Sequence, residues 1–314
     1  MANTYGKVSG TFQEADEVYA KVSGTWQEVD EVYGKVSGDW KLVFSAFEAT
    51  SFATLSSGSG SFTVPDQANA IHIQAAVGGG GGAAGGVSYD KAGGESAGAG
   101  GGSGAYVSDK IFSVTAGETM TYSIGSGGAG GNQTSNFGQP KIASAGTNTT
   151  LSGSSAGSIF TLGAGGGSSG TGGGVQGPLR TNTAGTAGSA TIGGTAITSG
   201  NFRDSDGTTK AVTTNTSGPV GSFNQSGNGA AGDLSGSGNC GGDNCRINGF
   251  DGGDSYAGNV AGGAGGSSSG SGTNGTAGTR GSGGGGGAAQ TNSGNTQGAV
   301  GGNGEIKYRF LKVS

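Results

Sequence analysis

Residues 70–86 read AIHIQAAVGGGGGAAGG, and the two halves of this stretch decide the fold. Ala70–Val77 alternates as a strand with one buried face does. Gly78–Gly82 offers no side chain to bury at all. Working outward, strand-like segments gather near the first half: Ser61–Val64 ending at Pro65, then Ala105–Thr115 and Glu118–Ile124 on either side of Ala116-Gly117. Thr149–Leu151, Ile159–Leu162 and the terminal Ile306–Val313 have the same β-branched and aromatic character. Together they predict a small antiparallel β base over 60–125, completed by 306–313.

The second half of the stretch sets the character of the rest of the chain. Of 78 glycines in 314 residues, seven precede residue 78 and 71 follow residue 77. Between 126 and 304 only 20 of 179 residues are Val, Ile, Leu, Met, Phe, Trp or Tyr. Such a composition suits disorder, but two features oppose it. Six Asp balance six Lys or Arg in that segment, and the glycines cluster in runs, as at Gly165–Gly167, Gly172–Gly174 and Gly283–Gly287. Ordering glycine costs roughly 0.5–1 kcal/mol more than ordering alanine. Summed over this segment, that exceeds the roughly 5–15 kcal/mol that a domain has to spare. Packed helices of the polyproline-II type recover the deficit. They have three residues per turn and direct their backbone groups outward, so bare backbones can approach and hydrogen-bond sideways. The fold class predicted is mainly β plus irregular, with a polyglycine-II domain over 126–305 and little or no α-helix.

Other classes are excluded or disfavoured. Four prolines and no strict Gly-X-Y period exclude collagen. The longest apolar run is too short to span a bilayer as a helix, and Met1–Gly10 lacks the apolar centre of a secretory signal. A net charge of −5 argues against nucleic acid as a partner. Cys240 and Cys245 share one glycine-rich loop, as a local bridge or as two thiols. Without a neighbouring His they make a poor metal site.

Residues 1–43 carry a 14-residue repeat: TYGKVSGTFQEADE, VYAKVSGTWQEVDE and VYGKVSGDWKLV. Tyr5, Tyr19 and Tyr33 are in register, as are Lys7, Lys21 and Lys35, and Phe12, Trp26 and Trp40. Aromatic and β-branched residues around Ser-Gly predict hairpins. A lone hairpin is marginal in water, so the units either pack on each other or serve attachment and oligomerisation. Residues 44–59, rich in Ser and Thr, read as a linker.

The succession GSFTVPDQANAIHIQAAVGGGGGAAGG, GGSGAYVSDKIFSVTAGETMTYSIGSGGAGG, SIFTLGAGGG and GGNGEIKYRFLKV resembles the glycine-rich domain of tailed-bacteriophage tail-fibre and tail-tip proteins, over roughly 57–314. The N-terminal repeats resemble short modules of phage tail proteins. The resemblance implies a β base followed by a sandwich of polyglycine-II helices whose far-end loops touch a host receptor. The matching glycine-poor interruptions are Val175–Asn182, Asn201–Asn224 and Asn239–Tyr256. Candidate receptor-binding residues are Phe202, Arg203, Asp204, Asp206, Lys210 and Phe223 in the second, and Arg246, Asn248, Phe250, Asp251 and Tyr256 in the third. Aromatic faces suit sugar rings, and Arg, Asp and Asn suit hydroxyl groups or peptide backbone. The same aromatics would also serve merely to plug the tip of the bundle.

Asp204-Ser-Asp206-Gly207 resembles the opening of a calcium loop but lacks the later ligands, and an Asx turn accounts for it. The many GxGxxG matches have no βαβ context and say nothing of nucleotides. His72, the single histidine, reads as a strand residue, and no catalytic arrangement surrounds it. The expectation is a non-enzymatic virion protein of the tail, made in the host cytoplasm and without a cofactor. Its partners would be other phage tail proteins, through the repeats, and a host outer-surface protein or glycan. A homotrimer and a monomer both fit. Two other readings are a structural tail-filament or decoration protein with no receptor, and a glycine-rich antifreeze-like protein.

Overall fold

A computed structural model describes residues 5–8, 11–14, 18–29, 31–85, 95–131, 140–171, 182–212, 225–227, 239–240, 246–247, 251–254, 260–265, 267, 273–285, 289–290 and 296–314. Among the described residues the secondary structure is all β, in small antiparallel sheets, with no helix, as the sequence predicts.

Each N-terminal repeat forms a two-stranded hairpin: Tyr5–Val8 with Thr11–Glu14, Tyr19–Val22 with Thr25–Glu28, and Glu31–Val36 with Asp39–Ser45. Ser23-Gly24 and Ser37-Gly38 connect the second and third with positive φ at both residues, 51° and 89°, then 54° and 96°. Two left-handed residues in a two-residue loop match the twist of the flanking strands.

Two five-stranded sheets form the base. One runs Gln225–Gly227, Tyr106–Ser113, Ala70–Val77, Glu305–Leu311, Ala53–Leu55; the other runs Ala190–Ile192, Gly157–Leu162, Thr149–Gly153, Thr119–Ser123, Ser59–Thr63. The inward residues of both enclose one core, including Ile71, Ile73, Phe112, Met120, Leu151, Phe160 and Ile306. Phe62 stacks on Tyr308 with ring centroids 4.6 Å apart. The segment 44–59, read as a linker, differs from that expectation. Ala53–Leu55 pairs with Ile306–Tyr308 as the edge strand, and Thr50 bonds Phe310 through both backbone and hydroxyl. A Ser- and Thr-rich composition does not bar a short edge strand when the neighbouring strand still has donors and acceptors to satisfy.

At the end of the sandwich away from the glycine segments, buried Glu118 ties two turns together. Its carboxylate accepts N–H groups from Thr115 (2.7 Å), Ser155 (2.9 Å) and Ala156 (3.0 Å). Burial raises its pKa, but the three donors outweigh that and hold it below the ordinary value. Glu118→Ala leaves three donors without their acceptor and is expected to cost about 2–4 kcal/mol in a denaturant melt, at roughly 1–3 kcal/mol per unsatisfied group less what water recovers.

The sandwich does not end where its strands end. Ala70–Val77 continues into the segment 78–85, Thr119–Ser123 into 125–131 and Gly157–Leu162 into 163–168. Arriving from the other direction, 97–105 feeds Tyr106–Ser113, 143–148 feeds Thr149–Gly153, 184–189 feeds Ala190–Ile192 and 296–304 feeds Glu305–Leu311. These extended segments are rods with three-residue periodicity. The N–H groups of Gly78, Gly81 and Ala84 donate to Ala105, Gly102 and Ala99; those of Gly79 and Gly82 donate to Thr147 and Ser144; those of Gly80 and Ala83 donate to Gly302 and Ala299. Every third residue thus addresses the same neighbour, which is polyproline-II geometry. The carbonyls of 78–85 accept from 128–131, 165–168 and Gly284. The rod is therefore ringed by six others, and all of its residues are buried. The rod 281–285 is ringed in the same way by 78–85, 97–105, 251–254, 260–265, 273–279 and 296–304.

Close approach makes glycine obligatory at specific positions of this array, although Ala83 and Ala84 are accommodated in the same buried rod. A Cβ on Gly78 would lie 2.6 Å from the carbonyl oxygen of Gly163, and one on Gly80 or Gly81 would overlap the carbonyl oxygen of Ser282 or Gly166. On the outer rods only the inward residue needs to be glycine: Gly185 and Gly188 are buried while Thr183, Thr186 and Ser189 are exposed.

Candidate functional site

The largest described cluster of charged side chains lies on the outer face of the first sheet, around the hairpin Asn201–Arg203 with Thr209–Ala211. Its turn is built locally. The Asp204 carboxylate accepts Ser205 N–H (2.8 Å), Asp206 accepts Thr208 N–H (3.0 Å), and Gly207 takes φ 76°. The Lys210 ammonium bonds Asp204 and lies 3.6 Å from Asp206. It takes the position between the two carboxylates that a cation would need. Among the described residues no group of three or more His, Cys, Asp or Glu is placed to hold a metal.

The hairpin docks on groups that sequence reading missed. Arg309, from the terminal strand, donates to Asp204 Oδ1 at 2.6 Å. Its guanidinium lies over the rings of Phe52 (4.6 Å) and Phe202 (5.5 Å). Arg309 Nε also donates to His72 Nδ1 at 3.2 Å. A guanidinium can only donate, so Nδ1 accepts and Nε2 carries the proton that bonds Asp109 Oδ1 at 3.1 Å. A chain of alternating donors and acceptors thus runs Asp109, His72, Arg309, Asp204, Lys210. Asp109 sits mid-strand with φ 47°, a strained conformation for a residue with a Cβ, and one that surrounding contacts must maintain. Burial pushes the Asp204 pKa up, but bonds from Lys210, the Ser205 N–H and Arg309 bring it down to about 2. Arg203 reaches Glu48 of the incoming arm at 3.3 Å, and Ala49 N–H bonds the Arg203 carbonyl.

The cluster is a clamp. It fastens the arm 46–55, the hairpin and the terminal strand to one another, with Phe202 and Asp204 buried. Its position also corrects an expectation. The described part of Asn201–Asn224 is not at the far end of the rods: Phe202 bridges Val313, and Asn201 pairs with Ser314, past the opposite end of the sandwich. The reason is the partner waiting there, a largely buried arginine flanked by a phenylalanine. The signals for this were Arg309 and His72, polar positions on the outward side of their strands.

At the far end, short ladders join segments as the rods terminate. Pro140–Ile142, Ser169–Thr171 and Asn182–Thr183 form one sheet; Glu95–Ser96 pairs with Asn239–Cys240, and Arg246–Ile247 with Ala289–Gln290. Arg246 is therefore at the far end. Asp251 opens a rod instead, its carboxylate accepting Gly265 N–H at 2.6 Å, as Asp254 accepts Gly262 N–H at 2.8 Å. Phe223, Asn248, Phe250 and Tyr256 lie outside the described residues, as does Cys245.

A family model described as a glycine-rich domain matches residues 54–311. No curated protein matches the chain.

Proposed function

The chain belongs to the glycine-rich domain family over residues 54–311, and we propose that this member is a bacteriophage tail-fibre or tail-tip protein that binds the bacterial host surface. The observation that supports the reading is polarity. The N-terminal arm is clamped beside the sandwich through Ala49 and Thr50, while the rods carry the chain to the opposite end, where Arg246 and the short ladders lie. A protein built this way holds its attachment module a rod's length from the ladders at the far end. Backbone-to-backbone bonds make the rods a rigid platform, and a rigid platform lowers the ordering cost of binding at its far end. The partners are other tail proteins at the repeats and an outer-surface protein or glycan at the loops.

Labelled full-length chain mixed with a panel of bacterial cells is expected to bind a subset of them. Replacing residues 241–250 with Gly-Ser of equal length is expected to reduce that binding at least tenfold and leave the melting temperature unchanged. Protease treatment and periodate treatment of the cells separate a protein receptor from a glycan. Binding to no cell, or binding indifferent to the replacement, rejects the reading in favour of a structural tail protein.

A further inference from the structure

Five of the seven large apolar side chains exposed among the described residues fall between 19 and 40. Register gathers the four aromatics among them on one face of their hairpins and leaves Val22 on the opposite face. In the second hairpin Tyr19 stands opposite Glu28 and Lys21 opposite Trp26, so these four share one face. In the third, Tyr33 stands opposite Leu42 and Lys35 opposite Trp40. In the first, Tyr5 stands opposite Glu14 and Lys7 opposite Phe12. Trp26 is 66% exposed and Trp40 is 71% exposed, so the chain's own glycine-rich domain does not cover these faces. Two-stranded hairpins are marginal in water unless such a face is buried.

We infer that the hairpins associate with the hairpins of a second copy of this chain, aromatic face to aromatic face. Charge points to that occupant. Each of the first two faces carries one lysine and one glutamate by register, so identical faces meet without net like-charge repulsion and Lys21 of one copy can pair with Glu28 of the other. Within one chain Lys21 already lies 6.0 Å from the Trp26 ring centre, the cation–π contact that an isologous interface repeats in both directions. Repetition points the same way. A second copy brings three aromatic faces at the same 14-residue spacing, and linked contacts reinforce one another. The inference does not depend on host binding.

The chain's two tryptophans are Trp26 and Trp40, so tryptophan fluorescence, excited selectively at the red edge of absorption, reports on this surface alone. Full-length protein is expected to sediment as an assembly at micromolar concentration, and its tryptophan emission is expected to shift to the red on dilution as the faces separate. The double variant Trp26→Ser, Trp40→Ser is expected to sediment as a single chain with the glycine-rich domain's melting temperature unchanged. Wild-type protein that sediments as a single chain with red-edge emission at every concentration overturns the inference. So does an assembly that survives the double substitution.

Discussion

Gly81→Ala is expected to unfold the glycine array, and Gly80→Ala to do the same. Neither position has room for one methyl group, because the obstacles are backbone carbonyls, of Gly166 and Ser282 respectively, rather than the ends of flexible side chains. Overpacking an ordinary core costs typically 1–3 kcal/mol because side chains and backbone can shift. Here the neighbouring backbone is itself bonded to further rods, so relief in one direction breaks bonds in another. The expected loss is at least about 5 kcal/mol, near the upper limit for single substitutions. At roughly 2–4 °C per kcal/mol for a domain of this size, the melting temperature falls by about 10–20 °C. Thr276→Ala on an exposed position of an outer rod is the control, expected to stay within roughly 0.5 kcal/mol of wild type. A Gly81→Ala protein that melts with the control would refute the close-packed geometry.

The second large effect is expected at Arg309. Removing one partner of a buried ion pair leaves the other charged and unpaired, at about 3–5 kcal/mol. Arg309→Ala also strips the acceptor His72 Nδ1 of its donor and uncovers Phe52 and Phe202. Arg203→Ala is the comparison, since its partner Glu48 is half exposed; it is expected to cost no more than about 1 kcal/mol. Acid titration provides an independent check. The Asp204 pKa is lowered on folding from 3.8 to about 2, so its contribution is complete above the unfolded value and is lost as pH falls through the folded one. Wild-type stability should drop between about pH 4 and pH 2, and Asp204→Asn should show a smaller drop across that window. Equal pH dependence in both proteins would show that Asp204 is not the group responsible.

Much of this architecture was legible in the sequence where each residue's environment is local. The Ala70–Val77 strand announces itself by alternation and matches the observed span. The terminal strand, expected over Ile306–Val313, ends two residues earlier at Leu311, because Val313 turns away to bridge Phe202. Clustering of glycine indicated packed rods rather than a linker, because only close approach makes uninterrupted glycine useful. What stayed hidden depends on partners far along the chain. Asp204 and Arg309 are 105 residues apart, and nothing near Asn201–Asn224 says that its first half clamps the base instead of crowning the tip. Ala53–Leu55 was hidden for the same reason, since its strand character comes from the strand beside it.

The three-residue address system of the rods also constrains how such a chain can change length. Because residues 78, 81 and 84 face one neighbour, 79 and 82 a second and 80 and 83 a third, inserting or deleting a single residue rotates everything beyond it by about a third of a turn. Side chains would then swing into carbonyls along the whole remaining segment. Adding or removing three residues restores every partner one layer further along. Indels within the rods are thus confined to triplets and need matching changes in adjacent rods. In related chains the array should therefore lengthen in whole layers of about 9 Å.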